Sequence, residues 1–161
     1  MRPLVRPFDE RDLDSVTDLS LRAWAPVFAS LEAVLGGSGV YSRLYPDGWW
    51  AAQRAAVADT CRGAHVWVAD VGGIVAGFVA VRVDRGAGIG EITTLAVDPD
   101  YQRRGVGSAL TSFALEWIGD SGVAVAMVET GGDPGHAPAR RLYERAGFTL
   151  LPIARYFKQC R

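Results

Sequence analysis

Cysteine is scarce in this chain: Cys61 and Cys160 are the only two among 161 residues. They lie too far apart for a zinc knuckle or a Cys-x-x-Cys redox pair, so the sequence offers no thiol-based redox site and no metal ligand set. Two free thiols suit a reducing compartment. Long apolar runs are missing as well. No stretch approaches the roughly 18 residues of a membrane span. The N-terminal Met1–Pro7 segment meets charges within a few residues, where a signal peptide would continue into an apolar core. The expected location is the cytoplasm, with no membrane partner. An excess of one charge is also lacking: 17 basic residues face 18 acidic ones, for a net charge of −1. A protein that grips nucleic-acid phosphates usually carries a basic excess, so the balance argues against that partner.

What is present is an ordinary folding composition, 49% apolar and 22% charged. The length predicts a single domain over 1–161 with a real core. Residues 2–7 read as a strand that Pro7 ends. Asp9–Asp12 opens a helix with acidic residues, which suit its positive end. Leu13, Val16, Leu19, Leu21 and Trp24 recur near helical spacing, and Pro26 is expected to close or bend that helix. Glycines and prolines make 25–48 irregular, and a second helix follows over about 48–61. His65–Ala69, Ile74–Val83 and Ile89–Val97 read as a meander, with Gly72-Gly73 supplying the first tight turn. A helix over about 105–118 carries a buried stripe of Ala109, Leu110, Phe113, Ala114, Trp117 and Ile118. Val123–Val128 is almost wholly apolar, as a central strand would be. Pro138 fits the first turn of a helix that Gly147 stops, and a last strand is expected over about 150–158. The fold class is therefore α/β. A mixed, mostly antiparallel sheet carries helices on both faces, in the order β-α-α-β-β-β-α-β-α-β. The strand-helix-strand unit at 89–128 requires a right-handed parallel crossover.

One loop carries chemistry. Gln102-Arg103-Arg104-Gly105-Val106-Gly107 lies between a strand and a helix. The first N–H groups of a helix have no partner within it, and a diphosphate placed there accepts several at once. Gly105 and Gly107 leave room for phosphate, and Arg103 and Arg104 add charge at the rim. By itself the pattern is equally compatible with a structural turn. A dinucleotide fingerprint is disfavoured because Leu110 stands where its third glycine would fall, and no Gly-Lys-Ser/Thr follows to make a nucleotidase-type phosphate loop.

The longer run Glu91-Ile92-Thr93-Thr94-Leu95-Ala96-Val97-Asp98-Pro99-Asp100-Tyr101-Gln102-Arg103-Arg104-Gly105-Val106-Gly107-Ser108-Ala109-Leu110 resembles the cofactor motif of the GNAT superfamily of N-acetyltransferases. That motif is a strand, then Gln/Arg-x-x-Gly-x-Gly/Ala, then a helix. Ala139-Arg140-Arg141-Leu142-Tyr143-Glu144-Arg145-Ala146-Gly147-Phe148 resembles the family's second signature, at the expected separation. The resemblance covers the element order throughout, although residues 1–62 carry no diagnostic motif. It implies acetyl-CoA as co-substrate and no metal. Gln102 to Ser108, chiefly through backbone N–H groups, would hold the pyrophosphate. Leu95, Ala96 and Val97 would line the pantetheine arm, in a gap where that strand splays from the one near Val128. Where the second signature commonly begins with Asn, three residues before Ala139, this chain has His136. It reads either as a contact to pantetheine or to the amine, or as a helix cap, with the capping or loop role favoured.

Acetyl transfer to an amine needs the amine deprotonated, the carbonyl oxygen stabilised and the leaving thiolate protonated. The resemblance implies direct attack without an acyl-enzyme. It assigns Tyr143 as general acid and Glu91 as the candidate general base, a role that a water chain takes in other members. Period-two alternation places Thr93 on Glu91's face. Trp24, Phe28, Tyr41, Tyr45, Trp49 and Trp50 read either as a pocket for the acceptor or as a small core under a loop. The acceptor expected is the primary amine of a small molecule or peptide, and a homodimer is compatible with the family. The other readings are a GNAT-like module that holds acyl-CoA without turnover, a transferase of longer acyl groups, and transfer to a hydroxyl.

Overall fold

The computed structural model describes all residues 1–161. Five strands form one sheet in the order of the chain. β1 (Leu4–Pro7), β2 (His65–Val71), β3 (Ile74–Asp84) and β4 (Ile89–Val97) are antiparallel neighbours. β5 (Val125–Val128) lies parallel to β4. The helices are α1 (Leu13–Leu35), α2 (Val40–Leu44), α3 (Trp50–Gly63), α4 (Val106–Asp120) and α5 (Ala137–Arg145). The sheet is mixed and mostly antiparallel, with helices on both faces, as the alternation of strand and helix patterns requires.

The long central strand shows why two cores form. On β3, Phe78 and Ala80 join Val16, Leu19, Val57 and Cys61 of α1 and α3 on one face. Val79 and Val81 join Val106, Leu110, Ala114 and Ile118 of α4 on the other. Alternate side chains point to opposite faces, so a strand apolar at both parities must be covered twice. β4 follows the same division: Ile92 belongs to the α4 core and Ala96 to the α1 core. Gly90 is there because a Cβ would collide with Ile118. Burial pushes the Cys61 thiol up to about 11, so it stays a packed thiol.

α1 continues through Pro26 instead of ending there. Its buried face, including Val16, Leu19, Ser20 and Phe28, spans both sides of that proline, and packing outweighs the lost hydrogen bond. Two polar residues on that face are satisfied locally: Ser20 Oγ donates to the Val16 carbonyl at 2.6 Å and Thr17 Oγ1 to that of Leu13 at 2.9 Å. The stretch read as irregular thus holds the end of α1, a 3₁₀ turn at Gly36–Ser38 and α2.

Two expectations at the C-terminal side are corrected. β5 is an edge strand, and it alternates: Val125 and Met127 are exposed while Ala126 and Val128 pack on the α4 core. The final strand expected over 150–158 is not formed; residues 149–161 have no regular structure. They contribute no ladder to β5, which leaves that strand's outer edge free and makes it the edge of the sheet. The segment is tied instead by side chains, with Arg155 on Glu129 at 3.2 Å. Gln159, in the amide orientation that satisfies both partners, meets Ser38 O at 3.3 Å and Arg43 at 3.2 Å.

The start of α1 is fixed by an ion pair. Arg6 on β1 donates to both carboxylate oxygens of Asp12 at 2.8 and 3.0 Å, and its Nε reaches Asp70 on β2 at 3.3 Å. Asp12 also accepts the Asp9 backbone N–H at 2.9 Å, in a reciprocal capping box. The hydrogen bonds from Arg6 hold the Asp12 carboxyl below its ordinary value. Its stabilisation is therefore complete above the unfolded-chain value near 4 and is lost as pH falls through the lower folded value. Asp12→Asn is expected to cost roughly 2 kcal/mol in urea unfolding at pH 7, and the gap from wild type should close in acid. A gap that persists at pH 2–3 would mean that the side-chain amide disrupts packing and that the charge contributes little.

Candidate active site

The site begins where the sheet opens. β4 pairs with β5 only from Ile89 to Ile92, against Val125 to Val128. From Thr93 to Val97, β4 keeps β3 on one side and has no strand on the other. Backbone groups of alternate residues therefore face an open gap, ready to hydrogen-bond an extended ligand. Leu95 and Val97 direct their side chains to the α4 core and Ala96 to the α1 core, so it is backbone that these three residues offer the gap.

Just before the gap, β4 carries a bulge. Thr94 pairs with Ala80 and Ile92 with Val81, so Thr93 has no partner on β3, and its Oγ1 donates to the Ala80 carbonyl at 3.2 Å. The extra residue shifts the side-chain phase. Glu91, opposite Arg82, shares the α1 face with Thr94 and not, as simple alternation predicts, with Thr93. Met127 of β5 stands beside Glu91 in register. Glu91 is half-buried, and its carboxylate makes no hydrogen bond or ion pair within the chain.

At the end of β4, Asp98 caps the 3₁₀ turn Pro99–Tyr101 through the Asp100 N–H at 2.9 Å. Arg22 of α1 clamps this corner, reaching Asp98 and Asp100 at 2.9 Å each. The loop then twists left-handed twice, at Arg103 (φ 61°) and Gly105 (φ 81°). A left-handed arginine is uncommon for a side chain of its kind and marks a loop held in a particular shape. Gln102 uses its side-chain amide to hold the Val97 carbonyl at 3.1 Å, and Arg104 lies over the Tyr101 ring at 5.5 Å. Gly105 is the N-cap of α4, with no side-chain cap; the first helical bond is Ala109 N–H to Gly105 O at 3.0 Å. The N–H groups of Val106, Gly107 and Ser108 have no partner in the chain. They form an anion-accepting end of the kind that binds a diphosphate. The Val106 side chain is buried in the α4 core, so its backbone alone faces the site. A Cβ on Gly107 would meet Leu142 at 3.3 Å and Val97 at 3.6 Å, which gives this glycine a packing role between α4, α5 and β4.

α5 forms the far wall. Tyr143 is buried, with its ring edge-on to Phe148 at 5.8 Å, and its hydroxyl has no hydrogen-bond partner in the chain. Burial pushes its phenol up to about 12, which keeps it a proton donor throughout the neutral range. Ala139 lies half-buried in the first turn of α5. His136 occupies the N-cap position but makes no capping bond with its side chain, so of the capping or loop role expected it takes the loop part. Its Nδ1 is bonded to the Asp133 carboxylate instead. Ser30, Asp133 and Arg140, which join His136 here, were missed in the sequence. Asp133-Pro134 is a readable turn start, but nothing local connects it to Ser30.

The six aromatics divide. Phe28 stacks on Trp49 at 4.3 Å and meets Tyr45 edge-on at 5.3 Å; Tyr41 and Trp50 extend this packed cluster. Trp24 stands apart, edge-on to Phe78 at 6.5 Å. Five of the six therefore form one aromatic cluster where α1, α2 and the start of α3 meet, with Phe28 buried and Trp50 exposed. No three His, Cys, Asp or Glu side chains are grouped to hold a metal, and no helix is long and apolar enough to cross a membrane.

An open sheet, an anion-accepting helix end and a buried phenol on the far wall together define an acyl-CoA-type transferase architecture. The family model described as "Acetyltransferase (GNAT) family" matches residues 27–148, and the chain belongs to that family. A mycothiol acetyltransferase of Pseudarthrobacter chlorophenolicus is 38% identical over 84 residues, which are 50% of this chain and 25% of that protein. The chain thus matches about a quarter of the length of that relative. The PaiA N-acetyltransferase of Thermoplasma acidophilum, solved with coenzyme A, superposes with a TM-score of 0.68 over 96% of this chain and 94% of that one, at 16% identity. The ribosomal-protein-S18-alanine N-acetyltransferase of Escherichia coli gives 0.66 over 93% and 79%, at 22% identity. At these identities the structural likeness establishes the fold.

Proposed function

We propose that this chain transfers an acetyl group from acetyl-CoA to the primary amine of a small molecule or peptide, by direct attack within a ternary complex. The observation that carries this reading is the unpaired edge of β4 beyond Ile92, which runs toward the free N–H groups at Val106–Ser108; the unpartnered Tyr143 hydroxyl on α5, which packs against α4, supports it. The N–H groups accept a diphosphate, with Arg103 and Arg104 at the rim. The edge accepts the amides of a pantetheine arm. The hydroxyl, in this reading, meets the thioester sulfur. Family membership and the coenzyme A complex of the Thermoplasma protein support the same donor.

Tyr143 then gives its proton to the departing sulfur. Glu91, free of internal partners on the α1 face, draws an ammonium group into the gap and is one of two groups placed to take its proton. The cysteines take no part: Cys61 is buried in a core and Cys160 lies in the exposed C-terminal segment.

Melting in the presence of acetyl-CoA, free CoA and NAD tests the donor site. A ligand at 100 times its dissociation constant that binds only the folded chain should add about 2.7 kcal/mol. Shifts with both CoA forms and none with NAD are expected, followed by thiol release from acetyl-CoA with a panel of alkylamines, arylalkylamines and short peptides. Absence of any CoA shift would reduce the loop to a structural turn. A shift without turnover on any amine would leave a binding module.

A further inference from the structure

The second group placed to accept a proton is assembled from two distant parts of the chain. After β5, residues Asp133-Pro134-Gly135-His136 fold back under the C-terminal half of α1. Asp133 Oδ1 is hydrogen-bonded to His136 Nδ1, and Asp133 Oδ2 accepts Ser30 Oγ–H at 2.6 Å. The Gly135 N–H donates to Ser30 Oγ at 2.9 Å, and Arg140 holds the carbonyls of Gly131 and Asp133 at 2.6 and 2.8 Å. A Cβ on Gly131 would lie 2.5 Å from both Asp133 Oδ1 and His136 Nδ1, so the pair is seated directly on that backbone. The Asp133 side chain is only 11% exposed. Burial works against its charge, but the bonds from Ser30 and His136 outweigh it and hold the carboxyl below its ordinary value.

An ionised carboxylate can only accept. It therefore fixes the imidazole as the Nδ1–H tautomer and leaves the lone pair on Nε2. That nitrogen has no partner in the chain, and the side chain is 23% exposed. The turn Pro134–His136 that carries the ring packs against α1, on the sheet face that Glu91 shares.

We infer that His136 is the catalytic base for the acyl acceptor, with Asp133 and Ser30 as positioning residues and Glu91 as the counter-charge for the incoming ammonium. This rests on the acyl-transfer reading above. Glu91 is held by no hydrogen bond, whereas His136 is fixed in tautomer and orientation, and an imidazole is the side chain suited to proton exchange near neutral pH. The ammonium gives one proton to His136 Nε2. The neutral nitrogen attacks the thioester carbonyl carbon; the C–N bond forms and the C–S bond breaks. Sulfur takes the Tyr143 proton, and the second proton of the attacking nitrogen returns to Tyr143 through solvent. One proton is released overall, from His136.

The chain has only two histidines, so imidazole nitrogen NMR resolves them directly. His65 stacks on Trp67, packs at a tilt on Trp117 of α4 and serves as the internal control. His136 is expected to carry its proton on Nδ1, with Nε2 resonances that move on adding acetyl-CoA while those of His65 stay. A proton on Nε2, or resonances indifferent to acetyl-CoA, would overturn the assignment. His136→Gln retains a donor for Asp133 and removes the base. At saturating acetyl-CoA and the best amine of the panel, its kcat is expected to fall about 10²-fold or more, with the CoA melting shift kept. The acidic limb of kcat should vanish with it, and added imidazole should restore part of the rate in His136→Ala. Asp133 is the other titrating group bonded into this cluster and is held below its ordinary value, while Arg140 stays charged and α1 adds only the neutral Ser30 hydroxyl. Ser30→Ala should reduce kcat by a smaller factor without changing KM for acetyl-CoA. An unchanged kcat and pH profile in His136→Gln, with Glu91→Gln abolishing the limb, would return the role to Glu91. Loss of the CoA shift in the wild type would instead strike the donor-site reading.

Discussion

Tyr143→Phe is expected to lower kcat about 10²-fold or more while leaving the affinity for CoA nearly unchanged. The ring packs against Phe148 and remains in the variant, so the only atom removed is a hydroxyl with no partner in the folded chain. Little stability should be lost. What disappears is the proposed donor for the leaving sulfur, a group needed as the C–S bond breaks and not when the ligand binds. The pH dependence gives a second handle. Burial pushes the phenol up to about 12, so its proton is present at neutral pH and is lost only as pH rises through that value. Any alkaline decline well below it must therefore come from another group and should persist in the variant. Single-turnover rates from pre-bound acetyl-CoA, compared with the melting shift, check both statements. An undiminished kcat would take Tyr143 out of the chemistry.

Gly105→Val and Gly107→Val are expected to fail for different reasons, although both glycines sit in the same hexapeptide. Gly105 has φ 81° and open space around its Cβ position. A β-branched residue there is a genuine backbone outlier, costing about 1–3 kcal/mol if the loop keeps its shape. Relief by rotating the turn would take the free N–H groups of Val106–Ser108 out of alignment. We expect CoA affinity to drop by about 10- to 100-fold, the equivalent of that strain, with the two cores intact because nothing apolar has moved. Gly107 lacks left-handed geometry, but its Cβ would already press on Leu142 at 3.3 Å. Valine there overpacks the junction of α4 and α5, at about 1–3 kcal/mol, so melting temperature and CoA affinity should fall together. Isothermal titration with CoA beside melting of the apo protein separates the two. Normal CoA binding in Gly105→Val would mean that the diphosphate lies elsewhere.

Much of this protein was determined locally. The two-sided apolar pattern of Ile74–Val83 dictated a central strand, because each parity must find its own cover. The stripe from Ala109 to Ile118 dictated a helix on one face, and Gln102 to Gly107 announced a helix end free to take an anion. Glu91 and Tyr143 were singled out as candidates through the two motifs that hold them. Long-range packing decided the rest. Pro26 does not stop α1, because the buried face on either side of it outweighs one missing hydrogen bond. Thr93 yields its place beside Glu91 to Thr94, because a bulge set by the β3 register shifts the phase of β4. Residues 149–161 remain outside the sheet, because a strand exists only where a neighbour completes its hydrogen bonds, and no local pattern reports that neighbour. The Ser30–Asp133–His136 cluster is the plainest case. Ser30 lies 103 residues from Asp133 along the chain, and the two meet because α1 packs against the turn Pro134–His136. Propensity and periodicity act over a few residues and so are written in sequence order. Which side chains share a gap is set by how the elements stack, and that is decided only when the sheet and both of its helical layers are in place.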